Sequence, residues 1–460
     1  QAGGAALDIT DVFSTYLYTG NGTSNRQITT NINTSDEGGM VWIKNRDGGD
    51  PHVLFDTERG SNKSLTSNTS DAEVTDYQRL TSFRDDGFRL GTDPEVNASN
   101  GDSYASWTFR KAPKFFTCLT YTGNGVAGRT VSHDLGSTPG MIIVKKTSSS
   151  TNSNWIVYHK DITASSYGKL NSTDAFTTSF AQYYWGNGTS TVNPTSTEFT
   201  VGDTSNLNGS GETYVAYLFA HNDGDGEFGP DGDQDIIKCG SYTGNGGANT
   251  IDLGFEPQWV MIKRSSGTGF WHLFDTMRGM PSGSNNQGLT ANTSNAEGEA
   301  YKVNPTATGF EIQNETTTEV NANGSNYIYM AIRRGPLAQP KSGTEVFGSS
   351  QDSIPTFGFP PDATLILDTA GGTTYHDKVT DRLRGSGNTL ITNSSAAEVT
   401  ESQDWYDFNY DGNQNTFGNG WGGPQFTVHG WKRAPGFFDV VAYTGDGVAG
   451  RTVSHNLGVA

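Results

Sequence analysis

The stretch "YIYMAIR", residues 327–333, is apolar or aromatic at every position but the last. In an extended chain Tyr327, Tyr329 and Ala331 share one face and Ile328, Met330 and Ile332 the other, so neither face is strongly polar. Such a strand is expected to be covered on both sides, by a second sheet and by a neighbouring domain. Similar runs recur as "MVWIK" from Met40, "MIIVKK" from Met141, "WVMIKR" from Trp259 and "ATLILD" from Ala363. Gly, Asn, Thr and Ser cluster between them, which is turn chemistry. The pattern predicts many short strands and almost no helix. Residues 72–83, "AEVTDYQRLTSF", would also pass for an amphipathic helix. Their counterpart at 296–310 carries Gly298 and Pro305, which a helix interior resists, so both segments are read as strand.

The runs belong to an internal repeat. "YTGNG" starts at Tyr18, Tyr121 and Tyr242, and "YTGDG" at Tyr443; Tyr121–Gly136 and Tyr443–Gly458 differ at two positions only. The interval between Tyr242 and Tyr443 holds two units, the second with a degenerate start near "VFGSS", Val346–Ser350. After each start come the apolar run, then "FDTERG" from Phe55, "FDTMRG" from Phe274 or "DRLRG" from Asp381. "NTSDAE", "NSTDAF", "NTSNAE" and "NSSAAE" follow from Asn68, Asn171, Asn292 and Asn393, and an aromatic strand closes each unit. A unit of about 100 residues with many short strands fits a two-layer β-sandwich or jelly roll. The expected architecture is all-β, a tandem array over 12–115, 116–222, 236–337 and 341–437, with an acidic Gly-rich linker at 223–235. Residues 438–460 read as the start of a fifth repeat. A lone hairpin is marginal in water, so this segment is expected to continue in a longer polypeptide or to complement another subunit.

Composition narrows the function classes. The net charge is −19 with only 30 Lys and Arg, which leaves no basic footprint for nucleic acid or an anionic membrane surface. No apolar run reaches the length of a membrane span, and no signal-peptide pattern opens the chain. Hydrophobic residues are scarce at 33%, yet 9 Trp, 19 Tyr and 24 Phe argue against disorder. The chain begins at Gln1 rather than Met, which reads as a processed or partial product. Two cysteines exclude a disulfide framework; Cys118 and Cys239 each precede a tag tyrosine by three residues and read as buried free thiols.

The ordered motifs resemble a tandem domain family recurrent in marine bacteriophages. Its members sit in large virion structural and tail-fibre-like proteins, and its units resemble concanavalin A-like, laminin-G-type sandwiches. The resemblance covers essentially the whole chain. The second unit departs most, with "VYHKD" in place of "FDTxRG" and Phe176 in place of Glu. The family has no well-defined activity, so the resemblance implies a virion or extracellular setting rather than a mechanism.

Two constellations are candidates for chemistry. Asp56, Arg59, Asn68 and Glu73 recur as Asp275, Arg278, Asn292 and Glu297, and as Asp381, Arg384, Asn393 and Glu398. A carboxylate, a guanidinium and an amide together suit a sugar, whereas the plainer reading is a structural Arg–carboxylate fork fixing one turn against another. The second is the loop carrying Asp223, Asp225, Glu227, Asp231, Asp233 and Asp235. Alternating carboxylates among glycines suit Ca²⁺, although the register of an EF-hand fails because Gln234 stands at the twelfth position from Asp223. The plainer reading here is a solvated acidic linker. No other cofactor is implied.

The leading expectation is a non-enzymatic structural protein: a tail fibre, filament or capsid appendage that associates with itself or other virion proteins and adheres to host-surface glycans. The alternatives are a secreted carbohydrate-binding adhesin and, further back, a glycan-degrading enzyme. Three copies of one active site in a chain would be odd.

Overall fold

The computed structural model describes residues 6–280, 285–313, 317–351, 357–369, 376–385, 388–400, 426–443 and 445–458. The apolar runs become the inner strands of antiparallel sheets, and helix is confined to single turns. In the first unit the strands are β1 (Phe13–Thr19), β2 (Arg26–Thr29), β3 (Gly39–Asn45), β4 (Val53–Asp56), β5 (Lys63–Thr66), β6 (Val74–Thr75), β7 (Leu80–Phe83), β8 (Gly87–Leu90) and β9 (Ser103–Arg110). They form a six-stranded sheet in the order β1-β9-β3-β4-β5-β6 and a three-stranded sheet in the order β2-β8-β7. The ambiguous segment 72–83 is therefore β6, a turn and β7.

The same order returns along the chain. The third unit repeats it with Ile237–Thr243, Asn326–Arg333, Pro257–Arg264, Trp271–Asp275, Gln287–Thr290 and Gly298–Glu299 in the large sheet. The second unit keeps five strands of the large sheet and two of the small one. In the fourth, Phe347–Gln351 stands in the place of β1, so "VFGSS" is the degenerate start, and Phe426–Trp431 in the place of β9. Residues 352–356, 370–375, 386–387 and 401–425 of the expected fourth repeat lie outside the described residues.

The tag is explained by its place in β1. Tyr18, Tyr121 and Tyr242 pair in register with Tyr104, Tyr214 and Tyr327, their rings stacked at 5.0–5.1 Å. Each tag hydroxyl donates to a backbone carbonyl, of Val96, Leu207 or Val320, at 2.6–2.7 Å. The next glycine must lack a side chain: a Cβ on Gly20, Gly123 or Gly244 would lie 2.2–2.4 Å from a carbonyl oxygen. In the copy at Tyr443 the loop geometry persists, with Gly436 N–H donating to Leu457 O at 2.6 Å as Lys114 N–H does to Leu135 O. No strand pairs with it among the described residues, and Tyr443 is 60% exposed against 9% for Tyr121.

Both faces of the large sheets are buried in the first three units, for different reasons. Tyr327, Tyr329 and Ala331 face the third unit's own small sheet in a core with Ile251, Phe310 and Ile312. Tyr104, Val41 and Ile43 do the same with Ile28, Phe88 and Leu90 in the first. The opposite faces merge into one common core that holds Trp42, Trp107 and Phe109 of the first unit, Phe116 and Phe219 of the second, and Trp259, Ile328 and Met330 of the third. The large sheets thus pack against each other as well as against their own small sheets.

Candidate functional site

The D-x-x-R-G segment turns directly off the end of β4. In the first unit Arg59 N–H donates to Asp56 Oδ1 at 2.9 Å and Arg59 Nε to Oδ2 at 2.6 Å. The remaining nitrogens reach Glu73 Oε2 at 3.2 Å and the Leu54 carbonyl at 3.1 Å. Arg278 repeats this with Asp275 at 2.9 and 2.6 Å, Glu297 at 2.8 Å and the Leu273 carbonyl at 2.9 Å. Arg384 binds Asp381, Glu398 and the Val379 carbonyl in the same pattern. The Arg278 and Asp275 side chains are 0% exposed. Burial works against each guanidinium's charge, but Asp56 and its neighbours hold Arg59 above the ordinary arginine range, and Asp275 and Glu297 do so for Arg278.

The turn is also a joint. Asp56 Oδ2 accepts the hydroxyl of Tyr217 from the second unit at 2.7 Å. Asp275 Oδ2 accepts the indole N–H of Trp107 from the first unit at 3.1 Å, and the Arg278 guanidinium lies 5.5 Å over that ring. Trp107, Tyr217 and Met330 occupy one register position, since each stands two residues before the position that pairs with the first residue of its β1-type strand. The second unit has His159 where the others have Asp56 and Asp275. It faces the third unit, whose Met330 offers no polar hydrogen. His159 Nε2–H instead donates to the adjacent Tyr329 carbonyl at 3.1 Å, while Nδ1 accepts from Asp161 N–H. Burial lowers the His159 pKa to about 4, so the imidazole is neutral and its N–H points the way the joint requires. The irregular "VYHKD" therefore matches a changed partner.

Other contacts repeat in the same cyclic sense. Glu73, Phe176 and Glu297 donate backbone N–H to the carbonyls of Thr147, Ser265 and Arg46, each in another unit, at 2.7–3.1 Å. Trp155 donates to the Thr66 carbonyl and Trp271 to the Lys169 carbonyl, both at 2.9 Å. Lys145 reaches Ser70 O and Lys263 reaches Thr173 O across the same boundaries. Burial pulls these lysines down, Lys145 to about 7 and Lys263 to about 8. Arg46 closes the last boundary by binding Glu297 at 2.6 Å; despite burial, Arg46 and Arg278 hold that carboxyl below its usual range. The joints run from first to second, second to third and third back to first, which closes a ring.

The candidate asparagines stay outside the Asp–Arg–Glu cluster. Asn171 and Asn292 lie two residues past the β5-type strand and accept the backbone N–H of Trp155 and Trp271, at 3.0 and 2.9 Å. Asn68 and Asn393 hold the same place after Thr66 and Ile391. In the acidic loop Asp235 accepts backbone N–H groups of Gly224 and Gly226, Asp223 pairs with Lys238, and Lys114 sits between Asp225 and Glu227. Among the described residues no three carboxylate, imidazole or thiol groups converge as a metal site. Cys118 and Cys239 are free and buried at equivalent positions of the ring core. Sequence reasoning missed Trp107, Tyr217 and the buried lysines. Their signal was present, as aromatic donors and Lys at fixed register, but pointed to no partner.

A fourth cluster ties the ring to the fourth unit. Arg334 binds Glu256 at 2.5 Å and Asp362, which also pairs with Arg382 and accepts Arg433 N–H at 2.6 Å. Although burial opposes it, Arg382 and Arg334 lower the Asp362 pKa to about 2.

A family model described as "Domain of unknown function (DUF7483)" matches residues 8–336. The chain belongs to the DUF7483 family. No curated protein matches it. The DUF7483 match ends two residues beyond Arg334, so it takes in the three units of the ring and leaves out the fourth.

Proposed function

We propose that this DUF7483 protein is a non-catalytic structural component of a virion or extracellular assembly, in which the ring acts as a rigid block. One observation carries this reading: the groups best suited to chemistry are consumed in joints. Asp56, Asp275 and Arg278 are buried, each with its hydrogen-bonding capacity directed at a neighbouring strand or unit. Rigid blocks that contact mainly their neighbours are what tandem arrays lengthen by duplication. The test is incubation of the purified chain with a panel of polysaccharides, following release of reducing ends. No release is expected; release that disappears in Asp275→Asn would overturn the reading.

A second reading, adhesion to host-surface glycans, draws on a cleft of about 240 Å³ between the third unit's small sheet and the segment carrying Tyr443. Thr250, Asn304, Thr306 and Glu311 line it beside the exposed Tyr443 ring. Both amide atoms of Asn304 lack a partner although the residue is 3% exposed. Hydroxyl, amide and carboxylate groups next to an aromatic face suit a sugar. Binding on a glycan array that is lost in Tyr443→Ala would support it, and an array without binding would remove it.

A further inference from the structure

The fourth unit carries the acceptor half of a joint, which the third unit meets only beside it, Met280 N–H donating to Leu383 O at 3.2 Å. Arg384 holds Asp381 and Glu398 as Arg278 holds Asp275 and Glu297, with the same four acceptors. In the first and third units a donor from another unit then caps the aspartate. Among the described residues no group from another unit reaches Asp381. The side chains are correspondingly open: Asp381, Arg384 and Glu398 are 12, 14 and 34% exposed, against 0, 0 and 9% for the third-unit set.

The sheet face around this joint is open in the same way. Phe347 pairs with Trp431 as Phe13 pairs with Phe109, yet Phe347 is 39% exposed where Phe13 is 2%. Leu390 is 42% exposed where its counterpart Leu65 is 1%. The face that forms the ring core in three units is a half-apolar surface in the fourth.

The donor half of the joint is present too. His429 stands at the register position of Trp107 and Tyr217, two residues before Trp431. Its Nδ1 is buried within the chain without a hydrogen-bond partner, so Nε2 is the nitrogen left to face another copy. An imidazole N–H can cap an aspartate as the indole of Trp107 caps Asp275.

We infer that this face is completed by the fourth units of two further copies of the chain, His429 of each copy capping Asp381 of the next in a closed trimer. A head-to-tail interface closes when its rotation divides a full turn. Here the capped-aspartate joint, made twice inside the chain, and its His159 counterpart, made once, return to their start after three units, so a joint of that geometry between copies closes at three as well. The partner is a second copy because the fourth unit holds both complementary halves. This deepens the assembly reading by naming the partner, yet is separable from it: a trimer that is no part of any virion or fibre leaves the inference intact.

The test is the mass of the full chain in solution, by sedimentation equilibrium across a range of concentrations. A monomer–trimer equilibrium is expected. Phe347→Glu with Leu390→Glu should shift it to monomer without changing the circular dichroism, since both side chains are exposed within one chain. His429→Phe, which keeps the ring and removes the donor, should weaken the trimer at least tenfold in midpoint concentration. A monomer at every concentration overturns the inference, and would leave the face to a repeat unit in cis. A dimer, or a trimer indifferent to both variants, overturns it equally.

Discussion

Replacing Arg278 by alanine probes the joint directly. The guanidinium is fully buried and satisfies Asp275, Glu297 and the Leu273 carbonyl at once. Its removal leaves Asp275 with two neutral donors, the Trp107 indole and the backbone N–H of residue 278, and Glu297 with Arg46 alone. Breaking a buried ion pair by deleting one partner costs about 3–5 kcal/mol, because the surviving charge stays desolvated. At about 2–4 °C per kcal/mol the melting temperature should fall by on the order of 10 °C. Urea unfolding followed by tryptophan emission reads the loss and reports on the third-to-first joint, where Trp107 lies. The pH dependence has a definite sign. Arg278 helps to hold Glu297 below its usual pKa, so the native state gains stability above about pH 4.5, the ordinary glutamate value, and loses it as pH falls through the lowered one. In Arg278→Ala the acid transition should move to higher pH. Combining Arg278→Met with Asp275→Asn removes the charges together and should recover at least half of the loss. A change within about 0.5 kcal/mol, the range of ordinary surface substitutions, would refute the joint.

Two further outcomes follow from the same geometry. His159→Asp puts a carboxylate against the Tyr329 carbonyl with no donor at Met330, and should destabilise the chain by about 3 kcal/mol or more in urea. Lys145 has a folded pKa of about 7 against an ordinary 10.5, so between those values the unfolded chain binds a proton that the native state does not. Stability should therefore rise with pH across that window, by up to about 1.4 kcal/mol per pH unit from this group, and Lys145→Met should flatten the rise between pH 7.5 and 9; an unchanged slope would remove Lys145 as its source.

Much of the architecture was legible in the sequence because its causes are local. Alternation in "YIYMAIR" required cover on two faces, and the two covers are the third unit's own small sheet and the ring core. Gly298 and Pro305 decided strand over helix in two units at once, since equivalent segments must obey one backbone rule. The D-x-x-R-G skeleton announced an Arg–carboxylate fork because the turn brings residues three apart together. What the sequence by itself determined was thus each unit: its succession of strands, its tag and its fork. Only the tertiary structure decided what each fork faces. Asp56 meets Tyr217 across 161 positions and Asp275 meets Trp107 across 168, and neither pairing follows from any spacing, because it depends on how one sheet is rotated against the next. The same reason hid the meaning of His159. As a departure from a motif it names no partner; opposite Met330 and the Tyr329 carbonyl it is the residue that can still donate.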